Sequence, residues 1–268
     1  MKIIKKSNQI NSILDQYNNT GFVPTMGTLH DGHISLIKRS KKENSKTVVS
    51  IFVNPKQFNK KKDFMNYPKK IKNDIMLCKK YKVDYLFLPS FNEVYGWKSL
   101  KFKYPKMTKF MEHKFRKNHF KGVLDVMSKL LSIIKNTKVY MGEKDYQQLH
   151  IIRQFCTINR ISSKIIPCKT VRSRQGYALS SRNLLLNEKS KKIMSLVYKT
   201  ILNYKLSNIG KIFNLSFLLK EIKKTGVNKI DYIENVNLKR FFRSKKVNMH
   251  SNIFIAYYLD GVRLIDNI

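Results

Sequence analysis

Two histidines three residues apart occur in the stretch GFVPTMGTLHDGHISLIKRSKK, which covers residues 21–42. The apolar spacing that follows predicts a helix, so His30 and His33 lie near its start, with Gly32 allowing close approach of the backbone. A helix start attracts anions, but its dipole contributes only about 0.3–1 kcal/mol, so imidazole donors would be needed to hold a polyphosphate. The simpler interpretation is two surface or structural histidines. Zinc is disfavoured because no third ligand stands at a familiar spacing.

A second polar cluster, MGEKDYQQL at residues 141–149, follows a predicted buried strand. Gly142 ends that strand, and Lys144, Asp145 and Gln148 stand where the next helix begins. A lysine places a point charge among phosphates, and an aspartate can accept a hydrogen bond from a ribose hydroxyl or hold Mg²⁺ through water. Taken alone, an aspartate N-cap beside a solvated lysine is the simpler explanation.

The third cluster lies in VRSRQGYALSSRNLLL, residues 171–186. Ser180, Ser181 and Arg182 supply two hydroxyl donors and a guanidinium fork, a combination that suits phosphate oxygens. The alternative is a polar turn that precedes a helix.

The fourth cluster is SIFVNPKQF, residues 50–58, in which a buried strand stops at Asn54–Pro55 and presents Gln57. A glutamine amide there could hold a hydroxy acid by hydrogen bonds without adding charge. Each cluster alone has a plain structural explanation. All four together, at strand ends of one predicted sheet, indicate a site.

Predicted strands and helices alternate along most of the chain, which indicates a parallel α/β sheet. Runs such as TVVSIFVN are nearly continuous in apolar residues, as expected of strands buried on both faces. In such sheets ligands bind beyond the carboxyl ends of the strands, where the polar clusters stand. The predicted strands cover residues 22–23, 47–54, 84–89, 138–143 and 163–171, and the predicted helices cover 8–18, 34–43, 68–81, 123–134 and 146–156.

After about residue 186 the pattern changes. Two amphipathic helices are followed by alternating strands within residues 253–265, with the turn signal Asp260–Gly261 between them. This part is predicted to form a smaller domain of helices and antiparallel strands. Residues 98–121 are basic and loop-like, and they are predicted to form a flexible flap.

The charge of the chain is extreme: 54 Lys+Arg against 17 Asp+Glu give +37 in 268 residues. Such a charge attracts nucleic acid or anionic membranes. The basic residues are scattered from Lys2 to Arg263, and no known nucleic-acid-binding pattern accompanies them. We therefore interpret the charge as compositional drift and expect no specific nucleic acid and no membrane among the partners.

The three cysteines, Cys78, Cys156 and Cys168, are far apart and odd in number, which disfavours a disulfide framework and favours a reducing compartment. The N-terminus lacks the apolar core of a signal peptide, and no apolar window is long enough to span a membrane. A cytoplasmic location is expected.

Four motifs, PTMGTLHDGH, VSIFVNPKQF, MGEKDYQQL and ALSSRN, in this order and spacing resemble the pantothenate synthetase (pantoate–β-alanine ligase) family. The resemblance extends almost from end to end and includes the closing LDGVRLIDNI. It implies a Rossmann-like domain over residues 1–173 that binds ATP and pantoate, and a smaller α+β domain over residues 174–268 that closes over the site. It also implies a homodimer and the use of ATP with Mg²⁺.

The same resemblance implies a reaction in two halves. Pantoate carboxylate attacks the α-phosphate of ATP to give pantoyl adenylate and pyrophosphate, and β-alanine then attacks the acyl carbon to release AMP and pantothenate. His33 is implied as the acid, with His30 and Lys144 also catalytic, and Gln57 and Gln148 as contacts of pantoate and, for Gln57, β-alanine. The implied ATP-binding residues are Met26, Gly27, Thr28, Leu29, His30, Asp31, Gly32, His33, Gly142, Glu143, Lys144, Asp145, Val171, Leu179, Ser180, Ser181 and Arg182.

The chain departs from the family pattern before the serine pair. Gln175, Gly176 and Tyr177 stand where Asp-Gly-Leu is usual, and Leu179 stands where Met is common. The flap is bulky and basic. Asp74 lies where the family has acidic residues near magnesium.

Two other functions fit parts of the sequence. A different H-x-G-H nucleotidyltransferase would act on a phosphate-containing substrate and would not need Gln57 and Gln148 beside a small acid. A nucleic-acid-binding protein on a degenerate synthetase fold would account for the charge, but all the phosphate donors are retained.

Overall fold

The computed structural model describes residues 1–58, 61–96, 101–107 and 109–268. The chain divides into an N-terminal unit, Met1–Lys169, and a C-terminal unit, Thr170–Ile268. The division falls slightly before the boundary expected after residue 173. In the described ranges, no helix has both the length and the apolar character that a bilayer crossing requires.

The N-terminal unit is built on six parallel strands: β1 (Lys2–Ile4), β2 (Thr20–Thr25), β3 (Lys46–Ile51), β4 (Tyr85–Phe87), β5 (Lys138–Gly142) and β6 (Lys164–Cys168). Their order in the sheet is β1-β4-β3-β2-β5-β6. From β2 the chain adds β3 and β4 on one side, and it then adds β5 and β6 on the other. The strand order therefore reverses between β2 and β5.

Helices connect these strands, and both faces of the sheet are buried. Phe22 and Val48 face a core that also contains residues of the helices Ser7–Leu14, His119–Ile133 and Tyr146–Ile158, whereas Val23 and Val49 face a second core with the helices Asp31–Glu43 and Ile71–Lys80. The period-two alternation of the strands explains why neighbouring residues enter opposite cores. In the described residues of this unit the helices are α1 (Ser7–Leu14), α2 (Asp31–Glu43), α3 (Lys61–Met65), α4 (Ile71–Lys80), α5 (Phe91–Tyr95), α6 (Glu112–Phe115), α7 (His119–Ile133) and α8 (Tyr146–Ile158).

The C-terminal unit contains two helices, α9 (Glu188–Ser207) and α10 (Leu215–Lys224), and four antiparallel strands. The strands are β7 (Lys229–Asn237), β8 (Phe242–Arg243), β9 (Ser251–Leu259) and β10 (Val262–Asn267), in the order β10-β9-β7-β8. Apolar residues of both helices and of β7, β9 and β10 form one core. The hairpin predicted around Asp260–Gly261 is the β9–β10 pair. The predicted fold class, a parallel α/β sheet with a smaller α+β domain, is confirmed.

Some predicted boundaries are wrong. The helix predicted over residues 8–18 ends at Leu14, and Tyr17 packs outside it, against the ring of Tyr85. The strand predicted over residues 47–54 ends at Ile51, because Asn54 caps a 3₁₀ turn instead of pairing in the sheet. The strand β1 was not predicted, since three residues are too short to show a period.

The predicted flap over residues 98–121 is only partly a loop. Residues 98–100 and 108 lie outside the described residues. Residues 101–107 have no regular structure, but α6 occupies Glu112–Phe115 and α7 begins already at His119. The sequence did not predict α6 and the first turn of α7, because basic residues predominate there and few apolar residues show a helical period.

Candidate active site

The loops after β2 and β5 leave the sheet on either side of the point where the strand order reverses. In open α/β sheets this position creates a crevice at the carboxyl ends of the strands. The loop after β2 leads to His30 and His33 at the start of α2, and the loop after β5 leads to Lys144 and Asp145 in a 3₁₀ turn, Glu143–Asp145. The topology thus brings together the first and second polar clusters of the sequence.

The loop after β2 is strained and held by one buried carboxylate. Gly27 and Thr28 both have left-handed backbones, with φ of 80° and 54°. For a β-branched threonine this conformation is unfavourable and needs support. Asp74 supplies it: its two carboxylate oxygens accept the N–H groups of Thr28 at 2.8 Å and Leu29 at 2.7 Å. Asp74 is 1% exposed, and this carboxylate clamps the loop; a role of Asp74 near magnesium stays a prediction.

The two histidines form a reciprocal cap at the start of α2. His30 Nδ1 accepts the N–H of Gly32 at 3.1 Å, and His33 Nδ1 accepts the N–H of His30 at 3.3 Å. A Cβ at position 32 would lie 2.7 Å from the His30 ring, which explains the glycine. Because both Nδ1 atoms are acceptors, the proton of each neutral ring is on Nε2. The cap therefore presents two imidazole N–H donors.

Both rings are held neutral. Burial lowers the pKa of His30 to about 4, and the nearby Lys144 ammonium acts in the same direction. Burial lowers the pKa of His33 to about 3, with His30 and Lys144 adding to the effect. The rings are close, with centroids 4.2 Å apart, so a proton on one would also oppose a proton on the other. At neutral pH the site holds two uncharged donors beside one ammonium.

The neutral histidines predict a pH-dependent stability. Between pH 6.5 and about 4 the unfolded chain protonates His30 while the folded chain holds it neutral, and for His33 this window extends to about 3. The unfolded state then binds more protons, so the free energy of unfolding falls on acidification, by at most about 1.4 kcal/mol per pH unit for each ring. Urea unfolding at pH 7, 6 and 5 measures this slope, which should be shallower in His33→Gln; His250→Gln, at an exposed histidine, is the control. Equal slopes in all three proteins would contradict the assignment.

The predicted acid-binding glutamine, Gln57, is the last residue of a 3₁₀ turn, Pro55–Gln57, that Asn54 caps. Asn54 is 1% exposed and is the centre of a small network. Its amide donates to Gly122 O at 2.9 Å and to Gln57 Oε1 at 3.3 Å, and its Oδ1 accepts from Tyr95 Oη at 3.0 Å. The Gln57 amide also contacts Met26 Sδ, which connects the fourth cluster with the loop after β2.

The second predicted glutamine, Gln148, follows the Glu143–Asp145 turn at the start of α8. Gln148 is half-buried in the first turn of α8, and its neighbour Gln147 is the residue that is bonded into the fold. Gln147 accepts from the N–H of Glu112 at 2.9 Å and donates to Phe110 O at 3.1 Å.

The third cluster belongs to the C-terminal unit. Leu179 donates its N–H to Val171 O, which closes the loop between them, and Ser180 caps a 3₁₀ turn, Ser181–Leu185. Ser180 Oγ accepts the N–H of Arg182 at 3.3 Å. Ser180 therefore fits both interpretations of this cluster. Its oxygen caps a polar turn, and its hydroxyl proton can still be donated to a ligand.

Comparisons with known proteins cover this whole chain. The family model described as "Pantoate-beta-alanine ligase" matches residues 2–268. The chain belongs to the pantoate–β-alanine ligase family.

A curated pantothenate synthetase of Francisella tularensis subsp. mediasiatica is 40% identical over 266 residues, which are 98% of this chain and 94% of the relative. The crystal structure of pantothenate synthetase from Thermus thermophilus has a TM-score of 0.90 at 30% identity and covers 100% of this chain and 99% of its own. The pantoate–β-alanine ligase of Francisella tularensis, crystallised with beta-gamma ATP and β-alanine, has a TM-score of 0.85 at 40% identity, with coverage of 100% and 97%.

The loop that carries Gln175 is held in place by Arg172. Arg172 forms a bidentate pair with Asp266, at 2.8 and 3.0 Å, and also donates to Gly176 O and Asn267 O. The carboxylate that holds this arginine is therefore on β10. Within the C-terminal unit, the last strand of the chain therefore holds the loop that contains Gly176, through Arg172.

The carboxylates around the described site are engaged with other groups of the protein. In the ranges that the structure describes, no three His, Cys, Asp or Glu side chains cluster as a metal site requires. Both oxygens of Asp74 accept backbone N–H groups, and Asp145 lies 3.3 Å from the Lys144 ammonium. Mg²⁺ bound through nucleotide phosphates and water needs no such cage, so we treat it as part of the nucleotide substrate.

Proposed function

We propose that this chain joins pantoate to β-alanine at the expense of MgATP, through a pantoyl adenylate. The observation that carries the proposal is the capping box of His30 and His33, which leaves two Nε2–H donors at the start of α2 beside the Lys144 ammonium. Family membership supports the substrates, since the Francisella relative was crystallised with an ATP ligand and β-alanine.

In the first half-reaction, a carboxylate oxygen of pantoate attacks the α-phosphorus of ATP. The P–O bond to the β-phosphate breaks, and pyrophosphate leaves with the electron pair. Charge grows on the α-phosphate and on the leaving group, and fixed donors aimed at this charge lower the barrier. We assign that role to His30, His33 and Lys144, and His33 then acts as a neutral hydrogen-bond donor instead of the acid that the resemblance implies.

The other predicted residues have supporting roles in this proposal. Met26 through His33, Gly142 through Asp145 and Val171 border the nucleotide, and Leu179 through Arg182 contact its phosphates. Gln57 and Gln148 hold pantoate by hydrogen bonds that add no charge to the site.

In the second half-reaction, the amine of β-alanine attacks the acyl carbon of the adenylate, and the bond between that carbon and the AMP oxygen breaks. The mixed anhydride is already activated, so no nucleophile of the protein is needed. Gln57 is assigned to this substrate as well. The homodimer and the cytoplasmic location stay predictions; the buried free thiols of Cys78, Cys156 and Cys168 agree with a reducing compartment.

The deciding experiment measures pyrophosphate release by the purified chain with MgATP and pantoate, with and without β-alanine. The proposal expects release that depends on pantoate, and AMP and pantothenate that accumulate only after β-alanine is added. A folded chain that releases no pyrophosphate with pantoate, but binds RNA with a steep salt dependence, would favour the degenerate-synthetase alternative.

A further inference from the structure

A chain of buried and half-buried polar groups leads from α6 to the backbone of Gln57. Glu112 is 6% exposed and its Oε2 accepts from Arg116 Nη1 at 3.2 Å. Arg116 Nη1 also lies 3.0 Å from Nε2 of His119, which is itself 6% exposed. The other ring nitrogen, Nδ1, lies 2.8 Å from Gln57 O. The chain ends on the residue to which we assign pantoate and β-alanine.

The partners of His119 fix its tautomer. A carbonyl oxygen only accepts hydrogen bonds, so the proton is on Nδ1, and a guanidinium only donates, so Nε2 is the acceptor. This is the opposite tautomer from His30 and His33, whose Nδ1 atoms accept from backbone N–H groups. The arginine therefore favours the tautomer whose proton is on Nδ1, the nitrogen that faces Gln57, and Glu112 accepts a hydrogen bond from the arginine.

The helix α7, which begins at His119, contacts the 3₁₀ turn Pro55–Gln57 at two further points. Gly122 lies so close to the turn that a Cβ there would be 2.2 Å from Lys56 O. Asn54, which caps the turn, donates to Gly122 O at 2.9 Å. The first turns of α7 therefore hold the Pro55–Gln57 turn by three contacts: the close approach of Gly122, the Asn54–Gly122 hydrogen bond and the His119–Gln57 hydrogen bond.

We propose that His119 is a positioning residue for the acid substrates: through its Nδ1–H bond to Gln57 O, with its tautomer set by Arg116, it places the Gln57 amide for pantoate and β-alanine. The inference rests on the proposed role of Gln57. His119 itself touches neither substrate in this proposal.

The test compares two substitutions of similar size. His119→Asn keeps an N–H donor near the position of Nδ1, whereas His119→Leu does not. We expect His119→Leu to raise the KM for pantoate and for β-alanine about tenfold, and His119→Asn to stay within about twofold of the unmodified chain. The KM for ATP should change less than about twofold in both, and His250→Leu is the control for loss of an exposed histidine.

A double-substitution cycle separates this inference from the proposed function. In a Gln57→Ala background, His119→Leu should add less than about twofold, because no amide remains to be placed. If Gln57→Ala itself leaves both acid KM values unchanged, the assigned role of Gln57 is wrong. If Gln57→Ala raises them but His119→Leu has no effect, or has its full effect in the Gln57→Ala background, only the positioning role is wrong.

Two further measurements test the proposal even if His119→Leu does not fold. Arg116→Met leaves His119 in place but removes the donor to Nε2, and it should raise the KM for pantoate without changing that for ATP. In the unmodified chain, ¹⁵N shifts of the imidazole nitrogens should show His119 protonated at Nδ1 and His30 and His33 at Nε2. An Nε2–H tautomer at His119 would overturn the proposal.

Discussion

Replacing His33 by glutamine is expected to lower pantoate-dependent pyrophosphate release about 10²–10³-fold, with little loss of stability. Removal of one preorganised donor to a developing negative charge has effects of this size. Glutamine is a regular capping-box residue at this position and can still accept the N–H of His30. The stability cost should therefore stay below the 0.5–2 kcal/mol or so expected when a cap is lost.

His33→Ala is the matched comparison, because it removes the donor and the cap together. Its pyrophosphate release should fall at least as far, and its free energy of unfolding should fall by about 0.5–2 kcal/mol. Rates come from single-turnover pyrophosphate release, and stabilities from urea unfolding. Normal adenylation in both folded variants would remove His33 from the mechanism.

The pH profile distinguishes a neutral donor from a proton-donating acid at His33. With a pKa of about 3, the imidazolium would make up roughly one part in 10⁴ at pH 7. A reaction that needed this form would slow steadily as pH rises, whereas a neutral Nε2–H donor gives a rate free of histidine titration between pH 6 and 8. Because its pKa is lowered, His33 acts as a neutral hydrogen-bond donor and does not have to be protonated before the reaction.

The sequence predicts the sheet well because its central strands carry continuous apolar runs. Val48 and Val49 are adjacent and enter opposite cores, so both must be apolar. Such consecutive apolar residues are expected of a strand that is buried on both faces. The histidine pair could likewise be placed at a helix start from its spacing. Their tautomers could not be predicted, because these follow from which nitrogen meets a backbone N–H.

What the sequence did not reveal depends on contacts between distant residues. Asp266 and Arg172 are 94 positions apart, and Asp74 and Thr28 are 46 apart. His119 and Gln57 are 62 apart, and the basic residues around His119 predict a loop there. The Asn54–Pro55 pair was a usable signal, since an asparagine before a proline is a common helix start.

Asp74→Asn is expected to lower kcat/KM for ATP about 10²-fold and the free energy of unfolding by about 1–3 kcal/mol. Asparagine has the same shape, but an amide NH₂ group, which only donates, replaces one of the two oxygens that each accept one backbone N–H group. One of these N–H groups would be buried without a partner, which costs about 1–3 kcal/mol. Without the clamp, Thr28 is no longer held at a φ of 54°, and the loop that leads to His30 shifts. A displacement of about 1 Å at such a site is enough for a 10²-fold effect.

The control for Asp74→Asn is Asp15→Asn, which removes the same charge from an exposed position. It should change neither stability nor kcat/KM for ATP. Magnesium separates the clamp from a metal ligand: if Asp74 held Mg²⁺, raising the Mg²⁺ concentration should restore activity to Asp74→Asn. The clamp predicts no such rescue, because the lost partners are the N–H groups of Thr28 and Leu29. Recovery at high Mg²⁺ with an unchanged unfolding free energy would show that the carboxylate acts on the metal and not on the loop.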